Sequence, residues 1–277
     1  MPYLLVAPSV VYLAVFFASP MVQAFALAFT DMDSTPGLAS IEAMLADPRF
    51  WSAGGTTLLL LALILPLQFA LALAMALVVT SRLRGSGFWL YVYMLPLGIS
   101  ELGAGIVWYS IFIEQGWLNS VLQGLGLIDK PYIWLDYREP LQVIGAIVVA
   151  ESWRSTSLIV IIMVAGLQAI PKDYLEAADV FHAGPWQRVR HVLLPLLRPT
   201  LRTALILRTV FAFEVFATVI ALAGTGTTVL AIQANRTYTE FQNPHVASAY
   251  GLVILLLSLA SVTAILLALP VRKGREE

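Results

Sequence analysis

The stretch PKDYLEAADVFHAGPWQRVRHVLLPLLRP, residues 171–199, decides the fold. Pro171 suits the first position of a helix, and Asp173 complements the positive end of the helix dipole. The run Ala183–Pro185 ends this helix and begins another. The segment therefore predicts two short helices joined by a turn, which together form a hairpin.

The first helix of this hairpin carries an apolar stripe. Four side chains follow the i, i+3, i+4, i+7 spacing of one helix face: Tyr174, Ala177, Ala178 and Phe181. The stripe either contacts a partner protein or packs on the membrane surface or on the protein's own helices. The spacing alone does not distinguish these alternatives.

The chain around the hairpin is too apolar for a water-soluble globular protein. Charged residues make up 12% of the 277 residues and hydrophobic residues 59%, with a mean hydropathy of +0.83. Soluble domains have about 25% charged residues. The net charge of −1 argues against a nucleic-acid partner, because phosphate binding needs a basic excess. With no Cys and three scattered His, the sequence predicts no metal site and no bound cofactor.

Six apolar stretches are long enough to cross a bilayer. A helix needs about 20 apolar residues to span the hydrocarbon core, where lipid cannot satisfy backbone polar groups. The stretches cover residues 3–29, 52–80, 88–113, 140–169, 200–223 and 246–271. We predict an all-α polytopic membrane protein with one domain, residues 1–277. The hairpin of residues 171–199 is then the loop between spans four and five.

Basic residues predict the side of the membrane on which the hairpin lies. Six spans place both termini on the hairpin's side, where the connecting segments hold nine Lys and Arg against four on the opposite side. Cytoplasmic loops are enriched in Lys and Arg. We therefore expect a multi-pass protein of the cell membrane with both termini in the cytoplasm.

Glu176–Ala178, followed by Leu194–Pro195 and then Pro199, resembles the EAA loop of permease subunits in binding-protein-dependent ABC importers. The segment 185–199 is similar to the carbohydrate branch of this family, the maltose, trehalose and glycerol-phosphate permeases. The similarity covers nearly the whole chain. One departure lies in the turn, where the family has Asp-Gly-Ala and this chain has Phe181-His182-Ala183. If the turn needs a positive φ, either His182 adopts it at a cost or Gly184 takes over.

The resemblance implies that the chain is a transport subunit and not an enzyme. It would form the translocation path with a second permease, which the resemblance implies is a homologous but different chain, and accept sugar from an extracytoplasmic binding protein. Two cytosolic ABC ATPase subunits would dock on Tyr174, Glu176, Ala177, Ala178, Phe181, Ala183 and Gly184. No G-x-x-x-x-G-K-[ST] loop occurs in the sequence, so ATP and Mg would be bound by those partner subunits.

Charged and aromatic residues inside the predicted spans are candidates for the substrate path: Glu101, Trp108, Tyr109, Glu151, Trp153, Arg154, Arg208 and Glu214. Inserting a charged side chain at the centre of a membrane helix costs about 2.5–3.5 kcal/mol, so the charged residues among these should face protein or water. Glu151 and Arg154 are i, i+3 partners. Arg208 and Glu214 are about 240° apart around a helix and should not face one direction. The charged groups either bind a polyhydroxylated solute or form buried ion pairs that hold helices in register.

The third span contains several Pro and Gly residues between positions 95 and 105, which predict a kinked or broken helix. Such breaks often lie beside transported ligands, whereas Gly for close helix packing is the alternative explanation.

Two functional hypotheses remain open from the sequence. The preferred one is the permease of an ATP-driven carbohydrate importer. The alternative is a self-sufficient secondary transporter or channel, in which Glu101, Glu151 and Glu214 would form a proton or cation path.

Overall fold

A computed structural model describes residues 2–31, 35–81, 85–224 and 226–270 of the chain, and most of these residues are helical. The α-helices are α1 (Pro2–Leu13), α2 (Ser19–Ala28), α3 (Ala39–Ala46), α4 (Pro48–Thr80), α5 (Ser86–Met94), α6 (Glu101–Phe112), α7 (Trp117–Gly124), α8 (Pro140–Gln168), α9 (Lys172–Val180), α10 (Pro185–Arg188), α11 (Leu194–Phe213), α12 (Ala217–Ala223), α13 (Leu230–Thr239) and α14 (Pro244–Ala268). Five basic residues used to predict the orientation lie outside the described residues: Arg82, Arg84, Arg272, Lys273 and Arg275.

Within the described part of the chain, four helices are long and apolar enough to cross a membrane: Val6–Ala28, Pro48–Thr80, Pro140–Gln168 and Pro244–Ala268. Two further pairs of helices pass the same test but are bent: Ser86–Gly98 with Glu101–Gly124, by 101°, and Pro185–Phe213 with Ala217–Ala223, by 51°. Counting each bent pair as one span gives up to six spans. The prediction of an all-α polytopic membrane protein is confirmed.

The third span breaks in the region where its Pro and Gly residues predicted a break. A 3₁₀ turn over Leu95–Gly98 contains Pro96, which has no backbone N–H to continue a helix. The Ser100 hydroxyl then accepts a hydrogen bond of 3.0 Å from Gly103 N and caps the start of α6. The interruption is therefore encoded locally.

The fifth span is also broken, and no sequence signal predicted this. Helix α11 ends at Phe213 and α12 begins at Ala217, although residues 214–216 contain neither Pro nor Gly. The first N–H groups of α12 bind the carboxylate of Glu101, which is 116 residues away from Ala217 in the sequence. A local pattern could not reveal a break that depends on such a distant partner.

The hairpin contains one short helix rather than the two that were predicted. Helix α9 is short, but the helix that begins at Pro185 continues through a π-helical segment, Val189–Leu193, into α11. Pro195 lies at the start of α11, directly after the π segment, where a wider turn accommodates a residue without an N–H. The helix of the fifth span therefore begins at Pro185, upstream of the apolar stretch of residues 200–223.

His182 supplies the positive φ of the hairpin turn. Its φ is +51°, whereas Gly184 has an ordinary φ of −64°. Ala183 N donates to Ala178 O at 2.9 Å and His182 N donates to Asp179 O at 3.0 Å. These two bonds form the helix-ending arrangement that usually places Gly at the left-handed position. Gly184 does not take over this role.

The helices divide into two compact units. One consists of Leu58–Thr227 with Ala260–Glu277, and its core packs α4, α8 and α11 together. Buried members of this core are Ala72, Ala76, Ile159, Met163 and Leu197. Small alanines on α4 allow the larger side chains of α8 to approach closely.

The other unit consists of Met1–Thr57 with Thr228–Leu259. Its buried core includes Met44, Phe50, Leu230 and Tyr250, and the rings of Phe50 and Tyr250 meet edge to face at 5.8 Å. Leu230 N donates to the Thr57 hydroxyl at 3.0 Å, which satisfies a free N–H at the start of α13.

Gly105 allows α6 and α12 to cross at close range. A Cβ atom at position 105 would lie 2.6 Å from Ala221 Cβ and 3.3 Å from Thr218 Cα. The first distance is shorter than real Cβ contacts, so neither helix can stay in place if residue 105 has a side chain.

We expect Gly105→Ala to lower the stability of the chain by roughly 1–3 kcal/mol, because the added methyl forces the two helices apart. Adding Ala221→Gly removes the clashing atom and should recover most of the loss. Gly145→Ala is the matched control, since its added methyl meets no described atom within 4 Å. Thermal unfolding of the purified chain measures each variant. Equal melting temperatures for Gly105→Ala with and without Ala221→Gly would contradict the clash.

Candidate functional site

A buried ion pair joins α8 to α11. Glu151 has no exposed surface and Arg208 is 1% exposed, and Arg208 Nη2 donates to Glu151 Oε1 at 2.9 Å. Arg154 Nη2, one helical turn after Glu151, donates to the same oxygen at 3.1 Å. The expected pairing of Glu151 with Arg154 is therefore present, and Arg208 meets another helix.

Neutral polar side chains complete the hydrogen bonding of this pair. Ser155 Oγ donates to Glu151 Oε1 at 2.7 Å, and Thr218 Oγ1 donates to Oε2 at 3.2 Å. Gln68 accepts from Arg208 Nε at 2.7 Å and donates to the backbone O of Glu151 at 3.0 Å. A buried ion pair is tolerable only when its remaining donors and acceptors are used. This network, which we call the charge cluster (Gln68, Glu151, Arg154, Ser155, Arg208 and Thr218), links α4, α8, α11 and α12.

Glu101 connects the break in the third span to the break in the fifth span through hydrogen bonds. Its Oε1 accepts from the backbone N–H groups of Phe216, Ala217 and Thr218 at 3.0, 2.9 and 3.3 Å. The carboxylate thus satisfies the free N–H groups at the start of α12. Glu101 itself is the first residue of α6, so the restarted halves of spans three and five meet at one carboxylate.

A cavity of about 430 Å³ lies beside the charge cluster. It is lined by Leu97, Glu101, Arg154, Ser155, Leu158, Arg208, Phe211 and Glu214. Two Arg and two Glu side chains therefore surround one space within the bundle. Glu151 does not line the cavity but lies behind Arg154 and Arg208, to which it is bound.

Arg208 and Glu214 face the same cavity, which corrects the expectation that they point in different directions. That expectation assumed a continuous helix, but α11 ends at Phe213 and Glu214 lies in the break. The Glu214 side chain is exposed. Arg154 Nε has no hydrogen-bond partner among the described residues, so the cavity wall holds a free donor as well as an exposed carboxylate.

The two tryptophans predicted for the substrate path lie in a different cavity. Trp108 and Trp153 meet edge to face at 6.0 Å and line a space of about 380 Å³ with Ser152 and Thr156. Tyr109 lines a third space, near the C-terminal end of α12. The eight sequence candidates thus separate into a charged group around one cavity and aromatic residues elsewhere.

A groove of about 420 Å³ runs along the hairpin. It is lined by Tyr174, Ala177, Ala178, Phe181, Ala183, Gln187, His191, Val192, Pro195 and Leu196. The predicted stripe therefore forms one wall of the groove, whereas Glu176 and Gly184 do not line it. Arg188 closes the hairpin, because it forms an ion pair with Asp179 and its Nε donates to Ala183 O at 2.8 Å.

Sequence reasoning missed several members of the cavity and the charge cluster: Gln68, Leu97, Ser155, Leu158, Phe211 and Thr218. Gln68 had a usable signal, because an amide inside a strongly apolar stretch must find partners in the protein. Ser155 lies four residues after Glu151, on the same helix face. Thr218 and Phe211 gave no such signal.

A set of apolar helices around a cavity lined by charged side chains defines this chain as a multi-pass membrane protein. Residues 1–274 match the family of inner membrane components of binding-protein-dependent transport systems, and the chain belongs to that family. The predicted resemblance of the chain to permease subunits of such transport systems is thereby confirmed. Membership favours the importer subunit over a self-sufficient transporter or channel.

Curated relatives of known transport systems are similar over most of the chain. The sn-glycerol-3-phosphate permease protein of Agrobacterium fabrum is 30% identical over 82% of this chain and 78% of its own length. The trehalose permease protein of Mycobacterium tuberculosis is 28% identical over 80% of this chain and 72% of its own length. Two crystal structures share the fold: a bacterial ABC transporter involved in the import of alginate, with a TM-score of 0.80, and a bacterial alginate ABC transporter in complex with an alginate pentasaccharide-bound periplasmic protein, with a TM-score of 0.79. Their sequences are 22% and 23% identical to this chain, respectively. Each match covers 95% of this chain, and it covers 92% of the chain in the first structure and 91% of the chain in the second.

We expect Glu151→Gln to destabilise the chain by about 3–5 kcal/mol, because Arg208 would stay buried without its carboxylate. The double variant Glu151→Gln with Arg208→Met should be more stable than Glu151→Gln alone, since the most deeply buried unpaired charge is removed. Glu240→Gln breaks the exposed Arg236–Glu240 pair and is the control, with an expected change of at most about 1 kcal/mol. Melting temperatures of the three variants measure this, and a double variant less stable than the single would contradict it.

Proposed function

We propose that the chain is the membrane-spanning subunit of an ATP-driven importer of sugars and related polyhydroxylated solutes. It forms half of the translocation path together with a second permease, a homologous but different chain. Two ABC ATPase subunits and an extracytoplasmic binding protein complete the importer. The family match supports this assembly and extends over both compact units, in agreement with one membrane domain of residues 1–277.

The observation that carries the proposal is the charged cavity at the two helix breaks. The Arg154 side chain, which lines the cavity and is 23% exposed, offers guanidinium donors, and the exposed Glu214 carboxylate offers acceptors. Phe211, 49% exposed, offers an apolar ring to the C–H face of a sugar. A polyhydroxylated solute matches this mixture of donors, acceptors and ring surface.

The relatives indicate the chemical class of the solute rather than its charge. Glycerol-3-phosphate, trehalose and alginate are the substances named for the similar systems, and all carry several hydroxyl groups. Two of the three are anionic, whereas the cavity presents Arg and Glu side chains in equal number. We therefore include both neutral and anionic polyhydroxylated solutes in the proposed substrate class.

The hairpin is the part of the chain that we assign to coupling. The groove is apolar and small-residue-rich at Ala177, Ala178 and Ala183, and Phe181 beside it is 85% exposed. Exposed aromatic side chains around a concave surface are typical of a protein docking site. The ATPase subunits would bind here, and ATP and Mg would be bound by those subunits.

The assignment of the hairpin to ATPase docking also gives the orientation of the chain in the membrane. ATPase subunits are cytosolic, so the hairpin and both termini are placed in the cytoplasm, as the distribution of Lys and Arg also favours. The family description supports a location in the inner membrane, with the apolar helices surrounded by lipid.

Replacing Glu214 tests the solute site. Glu214→Gln should weaken solute stimulation of the ATPase about tenfold or more, because a charge-assisted hydrogen bond is lost. Basal ATPase activity and melting temperature should stay near normal, since Glu214 is exposed. Glu42→Gln, an exposed acid on α3, is the control. If Glu214→Gln lowers the melting temperature but leaves solute stimulation of the ATPase unchanged, Glu214 has a structural role and does not bind the solute.

Replacing Ala178 tests the docking groove. Ala178→Lys places a charge at a position that is only 7% exposed and should abolish recovery of the ATPase subunits with the permease, while membrane insertion is retained. Val180→Lys is the matched control, because Val180 is 75% exposed on the same helix and does not line the groove. If Ala178→Lys binds the ATPase subunits and transports solute as the wild type does, the groove is not the docking site.

A further inference from the structure

The cavity that contains the two tryptophans is distinct from the charged cavity. It lies between α4, the α5 region, α6 and α8, on a different side of α8 from Arg154 and Leu158. None of its lining residues carries a charge among those described. Its volume of about 380 Å³ falls within the range of small-ligand sites, about 300–1,000 Å³.

Three polar atoms around this cavity have no hydrogen-bond partner in the part of the chain that the structure describes. They are Trp108 Nε1, Ser152 Oγ and Thr156 Oγ1. Ser152 and Thr156 are each 3% exposed and lie one helical turn apart on α8. Serine and threonine in helices commonly bond the carbonyl one turn earlier, which neither hydroxyl does here. Leaving a buried polar group unsatisfied destabilises a protein, so the grouping of three such atoms in one cavity points to a ligand.

The cavity reaches the surface through apolar side chains at membrane depth. Leu67 and Leu71 on α4 are each 39% exposed, and Trp153 on α8 is 38% exposed. Both helices are candidate spans, and these residues lie near the middle of each. The entrance therefore lies at the depth of the hydrocarbon region, far from the ends of both helices.

We propose that this cavity binds a neutral amphiphile from the bilayer, an aliphatic chain that carries hydroxyl or ester oxygens. The chain contacts the leucines and the tryptophan rings, and its oxygens bind Trp108 Nε1 and the two hydroxyls. A sugar fits less well, because it presents a hydroxyl on almost every carbon and the cavity offers three polar atoms against mainly apolar walls. A charged headgroup finds no counter-charge among the described lining residues.

Binding of monoolein to the purified full chain, titrated by native mass spectrometry, tests the proposal. Ser152→Ala with Thr156→Val should weaken monoolein binding about tenfold or more, since two hydrogen bonds are removed at nearly constant volume. The variant should stay folded, because it removes two buried groups that lack partners. Trp108→Phe, which keeps a ring but removes the donor, should weaken binding independently.

Thr209→Val is the matched control. Thr209 is 2% exposed and its hydroxyl also lacks a partner among the described residues, but it does not line the cavity. Monoolein should bind Thr209→Val as it binds the wild type. Three results would overturn the proposal: equal binding by the wild type and the double variant, equal weakening by Thr209→Val, or displacement of monoolein by maltose.

Discussion

The buried pair of Glu151 and Arg208 is the interaction on which the larger unit depends. Both groups are ionised in water, and neither could be placed in hydrocarbon without severe cost. Because Gln68, Ser155 and Thr218 use the remaining donors and acceptors, four helices must keep one arrangement for the pair to remain satisfied. Apolar contacts between Ala, Val and Leu would tolerate a shift along the helix axis, but this network does not. It therefore fixes the register of the helices around the cavity.

The same requirement explains why two spans can be broken inside the membrane. Interrupting a helix frees backbone N–H and C=O groups that lipid cannot bind. At the third span the Ser100 hydroxyl binds one of them, and at the fifth span Glu101 binds three. Non-helical backbone at this depth is tolerated because it borders a cavity within protein. The breaks also place exposed polar groups where a continuous helix would present only its side chains.

Local signals in the sequence predicted the elements whose causes are local. The apolar stretches, the Pro and Gly break in span three and the stripe on α9 follow from composition and spacing within a few residues. The Glu151–Arg154 pair belongs to the same class, since its partners are one turn apart. The break at Glu214, the continuous helix after Pro185 and the separation of Trp108 and Trp153 from the charged residues were not predicted. The break at Glu214 and the pairing of Trp108 with Trp153 depend on contacts between distant parts of the chain, which no periodicity reports. The continuous helix after Pro185 has a local cause, because the π-helical segment leads directly into Pro195.

The uninterrupted helix from Pro185 to Phe213 has a mechanical consequence. At 1.5 Å per residue it is a rod of roughly 40 Å, with the hairpin groove at one end and the Glu214 break at the other. A rigid rod transmits a displacement without loss, so a tilt imposed at the groove arrives at the cavity as a movement of Arg208 and Phe211. The rod departs from regular α-helical hydrogen bonding at the π-helical segment Val189–Leu193 and at Pro199, so it bends most easily there. The stiffness at these points therefore sets how much of the movement reaches the cavity and how much is absorbed as bending.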